Sequence, residues 1–144
     1  MYEREQQQLA ERIDVSSSLK HWSDWKWHLR HTVRDVNTLE RILGVTLDAG
    51  EKEKLLEVAG TFPMACTPYY LSLIDRTDFR NDPVFLQSVP GIKELMVRDH
   101  DMSDPLAEDM DSPAPGITHR YPDRVLFHVS NICAMYCRHC TRKR

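Results

Sequence analysis

Arg124-Val-Leu-Phe-His-Val-Ser130, followed almost at once by Cys133-Ala-Met-Tyr-Cys137-Arg-His-Cys140, is the stretch on which the reading of this chain turns. Residues 124–130 are nearly continuously apolar, the pattern of a strand covered on both faces in a parallel sheet. No partner strand is expected elsewhere in the chain, so its neighbours are expected in another chain or beyond Arg144. The three cysteines after it are spaced Cys-x3-Cys-x2-Cys. Soft thiolates favour an iron–sulfur cluster, zinc or copper(I) over hard cations. Structural zinc sites usually take four protein ligands from Cys-x2–4-Cys pairs. Here His139 adjoins Cys140 and is badly placed to close the same tetrahedron, while His128 lies far back along the strand. Three thiolates can hold three irons of a cuboidal cluster and leave the fourth iron open to a small molecule. Cys66 stands apart and reads as a buried small hydrophobe.

Upstream, the pattern is helical. Tyr2 to Ile13 reads as a helix in a polar lead-in. Ser18 or a nearby serine is expected to cap a helix running to about Val33, with Trp22, Trp25, Leu29 and Val33 on one apolar stripe and Trp27 off it against a second packing partner. Asn37-Thr-Leu-Glu40 matches a capping box for a short helix ended by Gly44. Thr46 is expected to cap the next, which carries Leu47, Leu55, Leu56 and Val58 and ends near Gly60. Thr67-Pro68 and Asp82-Pro83 are two further start signals, with proline in the first turn. Pro90 stops the second of these helices, and Ile92 to Val97 reads as another short helix. From Asp99 to Pro122 no period persists, so an extended, acidic, proline-punctuated segment pinned by contacts is expected.

The 144 residues suffice for one ordinary domain. An apolar fraction of 41% supports a core, though a mean hydropathy of -0.52 argues against a generous one. The net charge of -3 excludes a generally basic, nucleic-acid-coating protein. It conceals an asymmetry: Asp99, Asp101, Asp104, Glu108, Asp109 and Asp111 crowd one stretch, whereas Arg120, Arg124, Arg138, Arg142, Lys143 and Arg144 follow against the single acid Asp123. The later group suits phosphate or carboxylate binding. Alternatively, Arg120 and Arg124 are surface ion-pair partners of the acidic stretch. No run resembles a signal peptide or a membrane span. The clustered cysteines fit a reducing, cytoplasmic compartment better than a disulfide framework.

Cys-x3-Cys-x2-Cys after a strand is also the signature of radical S-adenosylmethionine enzymes. Thr118-His-Arg-Tyr-Pro-Asp-Arg124 together with Cys133-Ala-Met-Tyr-Cys-Arg-His-Cys-Thr-Arg-Lys-Arg144 resembles the lysine 2,3-aminomutase family. Trp22-Ser-Asp-Trp-Lys-Trp27, Thr67-Pro-Tyr-Tyr-Leu71 and Asp111-Ser-Pro-Ala-Pro-Gly116 resemble the amino-terminal region of the same family. The resemblance covers residues 20–144 and roughly the first third of a family member.

The resemblance implies an α/β protein with a helix-rich amino-terminal region (1–98), an acidic and proline-rich linker (99–123), and the first strand and cluster loop of a partial, truncated (β/α) barrel (124–144). The residues alone give only helices followed by one buried strand. It implies three cofactors: a four-iron four-sulfur cluster, S-adenosylmethionine and pyridoxal 5′-phosphate. An electron from the cluster cleaves S-adenosylmethionine, and the 5′-deoxyadenosyl radical takes hydrogen from C3 of an amino acid held on pyridoxal phosphate. Nitrogen then moves from C2 to C3. Cys133, Cys137 and Cys140 match the cluster ligands, and Tyr136 and His139 match positions lining the cluster and the S-adenosylmethionine site. Arg120, Tyr121 and Arg124 match positions around pyridoxal phosphate, and Arg142 matches the residue that pairs with the substrate carboxylate.

No catalytic residue is assigned within the chain: the Schiff-base lysine, a glycine-rich segment and the acids reading the substrate side chain are expected downstream, and Lys143 is not expected to form a Schiff base. These residues alone are therefore expected to lack turnover. An external electron donor and homo-oligomerisation are implied, with no nucleic acid and no membrane partner. L-Lysine is the favoured substrate, glutamate the alternative. A non-enzymatic zinc module with a basic tail is the reading from another class.

Overall fold

A computed structural model describes residues 2–13 and 21–141. Among them, six α-helices come first: α1 (Tyr2–Ile13), α2 (Trp25–Arg30), α3 (Val36–Leu43), α4 (Ala49–Thr61), α5 (Pro68–Leu71) and α6 (Pro83–Ser88). A 3-10 turn at Ile92–Leu95 and two strands, β1 (Ile117–Tyr121) and β2 (Arg124–Phe127), follow. The fold is mixed and helix-rich, as expected; its only sheet among the described residues is this antiparallel pair.

Carboxylates fix most of the helix starts. Asp35 accepts from the Thr38 amide at 2.9 Å, so α3 starts two residues before the expected Asn37 box. Glu40 instead accepts from the Leu47 amide (2.9 Å) and Lys52 Nζ (2.7 Å), tying α3 to the start of α4. Asp48, rather than Thr46, caps α4 in a reciprocal box with Glu51, a device worth about 1 kcal/mol. Asp82 caps α6 through the Phe85 amide, with Pro83 in the first turn, as the sequence predicts. Gly44 closes α3 in the left-handed region at φ 67°. A side chain there would meet the Arg12 guanidinium, which donates to the carbonyls of Ile42 and Leu43 at 3.1 and 2.8 Å. The carbonyls left unpaired at the end of α3 are thereby satisfied from α1.

The expected helix to Val33 is corrected. Its Ser18 cap lies outside the described residues, and α2 covers only Trp25–Arg30, capped by Asp24. Of the expected stripe, Val33 lies in the core and Trp22 packs against it, whereas Trp25 is 65% exposed; Trp27, off the stripe, is buried. A six-residue helix turns too few times for a stripe to form, and Trp27 instead packs among Trp22, His28 and His31. The main core gathers Leu9, Val36, Leu39, Leu43, Met64 and Leu71 with Phe79 and Phe85.

The acidic stretch is held by its own turns: Asp101 accepts from the Arg98 amide and Asp104 from the Asp109 amide. It ends in β1, a strand the sequence reading did not anticipate. β1 pairs antiparallel with β2 through Ile117↔Phe127, Thr118↔Leu126 and Tyr121↔Arg124. Pro122 cannot adopt the positive φ of the usual two-residue hairpin turns, and the register is irregular between Thr118 and Tyr121. The strand after Arg124 is thus partnered within the chain and ends at Phe127, and all four of its residues are exposed. This overturns the expectation that the strand has no partner within the chain; the cover expected on both its faces belongs to strands of another chain or beyond Arg144.

Candidate metal and cofactor site

The cysteine loop is fastened to the helical region by backbone pairing. Val33 and Cys66 exchange both hydrogen bonds at 2.9 Å. On the other side of Cys66, Thr67 donates to the Ala134 carbonyl (3.0 Å) and Tyr136 to the Ala65 carbonyl (2.8 Å). Three segments therefore lie side by side at Val33, Cys66 and Met135. The Met135 side chain packs against the main core. The next fastening is the Arg138 amide, which donates to the Gln87 carbonyl at 2.8 Å.

Between and beyond these fastenings lie the thiols. All are free; Cys133 and Cys140 are exposed and Cys137 is half-buried. Cys140 donates its amide to the Cys137 carbonyl at 3.1 Å, making a turn. The donor set suits an iron–sulfur cluster, but the sulfurs are not drawn together: among the described residues no three His, Cys, Asp or Glu side chains are gathered to hold a metal. Cys66 is fully buried, as predicted, and desolvation by burial, with a smaller contribution from nearby Cys137, pushes its thiol up to about 12. Buried and neutral, it lies behind the cysteine loop beside Met135.

Arg120, Tyr121 and Arg124, set around one cofactor by the resemblance alone, lie near one another. They line an open groove of about 650 Å³ with Leu106, Glu108, Thr118, Val125 and Leu126. Arg120 donates to the Leu106 carbonyl at 2.6 Å. The Arg124 guanidinium lies over the Tyr121 ring at 5.3 Å and donates to Asp123 at 3.0 Å. The hairpin brings these side chains together, since Tyr121 and Arg124 are cross-strand partners.

Tyr136 is half-buried beside Arg34, whose guanidinium lies 6.0 Å from its ring, and His139 is exposed. Arg142, the expected carboxylate partner, lies outside the described residues. Arg138, which the sequence offers only as one member of the later basic group, is the guanidinium between the second and third cysteines.

Compared with known proteins, the chain is similar along most of its length to amino-acid 2,3-aminomutases. It is 52% identical to the L-lysine 2,3-aminomutase of Methanococcus maripaludis over 94% of this chain and 31% of that protein. It is 51% identical to the L-lysine 2,3-aminomutase of Bacillus subtilis over 85% of the chain and 26% of that protein. The glutamate 2,3-aminomutase of Clostridioides difficile is 48% identical over 85% of the chain and 28% of its own length. The resemblance to lysine 2,3-aminomutases therefore extends along nearly the whole chain, which spans about a third or less of those relatives. No protein-family model matches it. Among the described residues no helix is long and apolar enough to cross a membrane.

Proposed function

We propose that this chain is part of an isomerase that moves the 2-amino group of L-lysine to carbon 3, giving β-lysine. The observation that carries the reading is identity of about one half to curated L-lysine 2,3-aminomutases over nearly all of the chain. When bound, a 4Fe-4S cluster with S-adenosylmethionine supplies a carbon radical, and pyridoxal phosphate holds the migrating nitrogen.

The chain's own residues then have distinct tasks. Cys133, Cys137 and Cys140 would hold the cluster through three thiolates, and the cluster would then supply a site for S-adenosylmethionine. Tyr136 and His139 flank that position. Arg120 and Arg124 present guanidiniums to the cofactor phosphate, where forked, charge-assisted hydrogen bonds are strong, and the Tyr121 ring offers a face for the cofactor. Arg142 takes the substrate carboxylate.

We further propose residues 1–98 as a helical region, 99–123 as a linker carrying β1, and 124–144 as the opening of a (β/α) barrel. The exposed apolar residues Val125, Leu126 and Phe127 suit further strands. The Schiff-base lysine belongs outside this sequence. A cytoplasmic, homo-oligomeric enzyme served by an external electron donor fits the same reading. Glutamate in place of L-lysine is the alternative reading, supported more weakly by the 48% identity to a glutamate 2,3-aminomutase. The test is an anaerobic assay of the complete gene product carrying this sequence. Formation of β-lysine from L-lysine in preference to β-glutamate from glutamate is expected; β-glutamate alone would transfer the assignment, and neither product would overturn it.

A further inference from the structure

Arg138 sits between Cys137 and Cys140, yet its side chain points away from solvent and is only 7% exposed. Its Nη2 lies 2.6 Å from Glu94 Oε2, and its Nε contacts both carboxylate oxygens at 3.0 and 3.1 Å. Nη1 donates to the Pro63 carbonyl at 3.0 Å and Nη2 to the Phe62 carbonyl at 3.4 Å. Glu94 is itself fixed, accepting from the Gly91 amide at 2.8 Å across the 3-10 turn. The end of α4, the 3-10 turn and the cysteine loop therefore converge on one planar guanidinium. A lysine ammonium cannot reproduce that fork. Largely buried ion pairs contribute little net stability against their desolvation, and specifying one arrangement is their better-attested use.

We infer that Arg138 is a positioning residue: through Glu94 and the Phe62 and Pro63 carbonyls it fixes the Cys137–Cys140 turn, so that the helical region sets the orientation of two of the three cluster ligands. The inference deepens the proposed function and rests on it for the cluster, but the anchoring itself is open to test without metal. A flexible turn still offers three thiolates. A fixed one would hold a bound cluster in one orientation relative to the rest of the site, where S-adenosylmethionine would have to bind.

The experiment has two arms. In the metal-free chain under reducing conditions, timed alkylation with mass-spectrometric mapping gives rates for each cysteine in wild type, Arg138→Lys and Glu94→Gln. Cys137 is expected to react several-fold faster in both variants. Buried Cys66 stays protected, which separates local release from unfolding. In the complete gene product, anaerobically reconstituted, both variants are expected to keep wild-type iron and sulfide. Their S-adenosylmethionine affinity is expected to fall about tenfold, with a weakened change in the electron paramagnetic resonance spectrum of the reduced cluster on adding it. Wild-type alkylation at Cys137 in both variants overturns the inference. So does unaltered S-adenosylmethionine binding with a shifted melting temperature alone, which marks a merely structural contact. If wild type takes up no cluster, the proposed function fails while the alkylation arm still decides the anchor.

Discussion

Raising the pH should loosen the junction at Cys66 by an amount the structure sets. Burial lifts this thiol from 9.0 to about 12, whereas in the unfolded chain it ionises at its ordinary value. The contribution is thus intact below 9.0 and is lost as pH climbs towards about 12. Each pH unit within that window costs the fold about 1.4 kcal/mol, so at about pH 10.5 the loss reaches about 2 kcal/mol. Tyrosines and lysines titrate nearby, so the measure is a difference between proteins. Cys66→Ala removes the thiol and costs about 1 kcal/mol in lost burial at neutral pH. Urea titrations followed by tryptophan fluorescence, which buried Trp27 reports, give both stabilities. Between about pH 8 and about pH 10.5 the wild-type advantage should shrink by about 2 kcal/mol and reverse sign. A gap that stays constant across that range would refute the argument that burial controls this thiol.

Three further outcomes follow from single contacts. Glu51 is held at about 2 by its paired hydrogen bonds from Arg80 and by the Asp48 amide, so its contribution is present above its ordinary 4.5 and is lost as pH falls towards 2. Glu51→Gln should therefore flatten the acid limb of a helicity titration in that interval, and an unchanged limb would contradict the pairing. Asp48→Ala, which removes the cap of α4, should lower stability by about 1 kcal/mol in urea titration; no change would mean that the box is not formed in solution. Arg124→Gln should weaken pyridoxal phosphate binding by the complete gene product about tenfold. An exposed guanidinium on phosphate is worth roughly 1.5 kcal/mol after solvent screening. Unaltered affinity by spectrophotometric titration would remove Arg124 from the cofactor's contacts.

Helix positions were legible wherever a short polar side chain precedes a hydrophobic period or a proline, as at Asp82-Pro83, and wherever a glycine must turn left-handed, as at Gly44. The starts of α3 and α4 were misplaced by about two residues because Asp35 and Asp48 compete with nearby Asn37 and Thr46. Sequence ranks such caps poorly; the helix that packs best decides. The helix expected to reach Val33 is shorter because the 3.6 period runs on through Ser23-Asp24, where the chain is not helical, while Trp27 has the separate packing that its place off the stripe predicts. The hairpin was hidden by Pro122, which breaks the usual turn pattern, and by apolar residues in β2 that read as buried. In the candidate site, the cysteine spacing is legible as a thiolate donor set because chemistry dictates residue type there, whereas Arg120 and Arg124 stand out only through the resemblance. The Val33–Cys66–Met135 pairing and the Arg138–Glu94 anchor were not legible, since both join segments far apart in sequence and leave no local period.

The claim on which the account depends is that Cys133, Cys137 and Cys140 together hold a cluster with one iron left open. Anaerobic reconstitution of the complete gene product, followed by iron and sulfide analysis and electron paramagnetic resonance with and without S-adenosylmethionine, tests it most directly. Four irons and four sulfides per chain, with a spectrum that shifts on adding S-adenosylmethionine and disappears when any one of the three cysteines becomes serine, is the predicted result. A colourless protein with one zinc, or a cluster indifferent to S-adenosylmethionine, would contradict it.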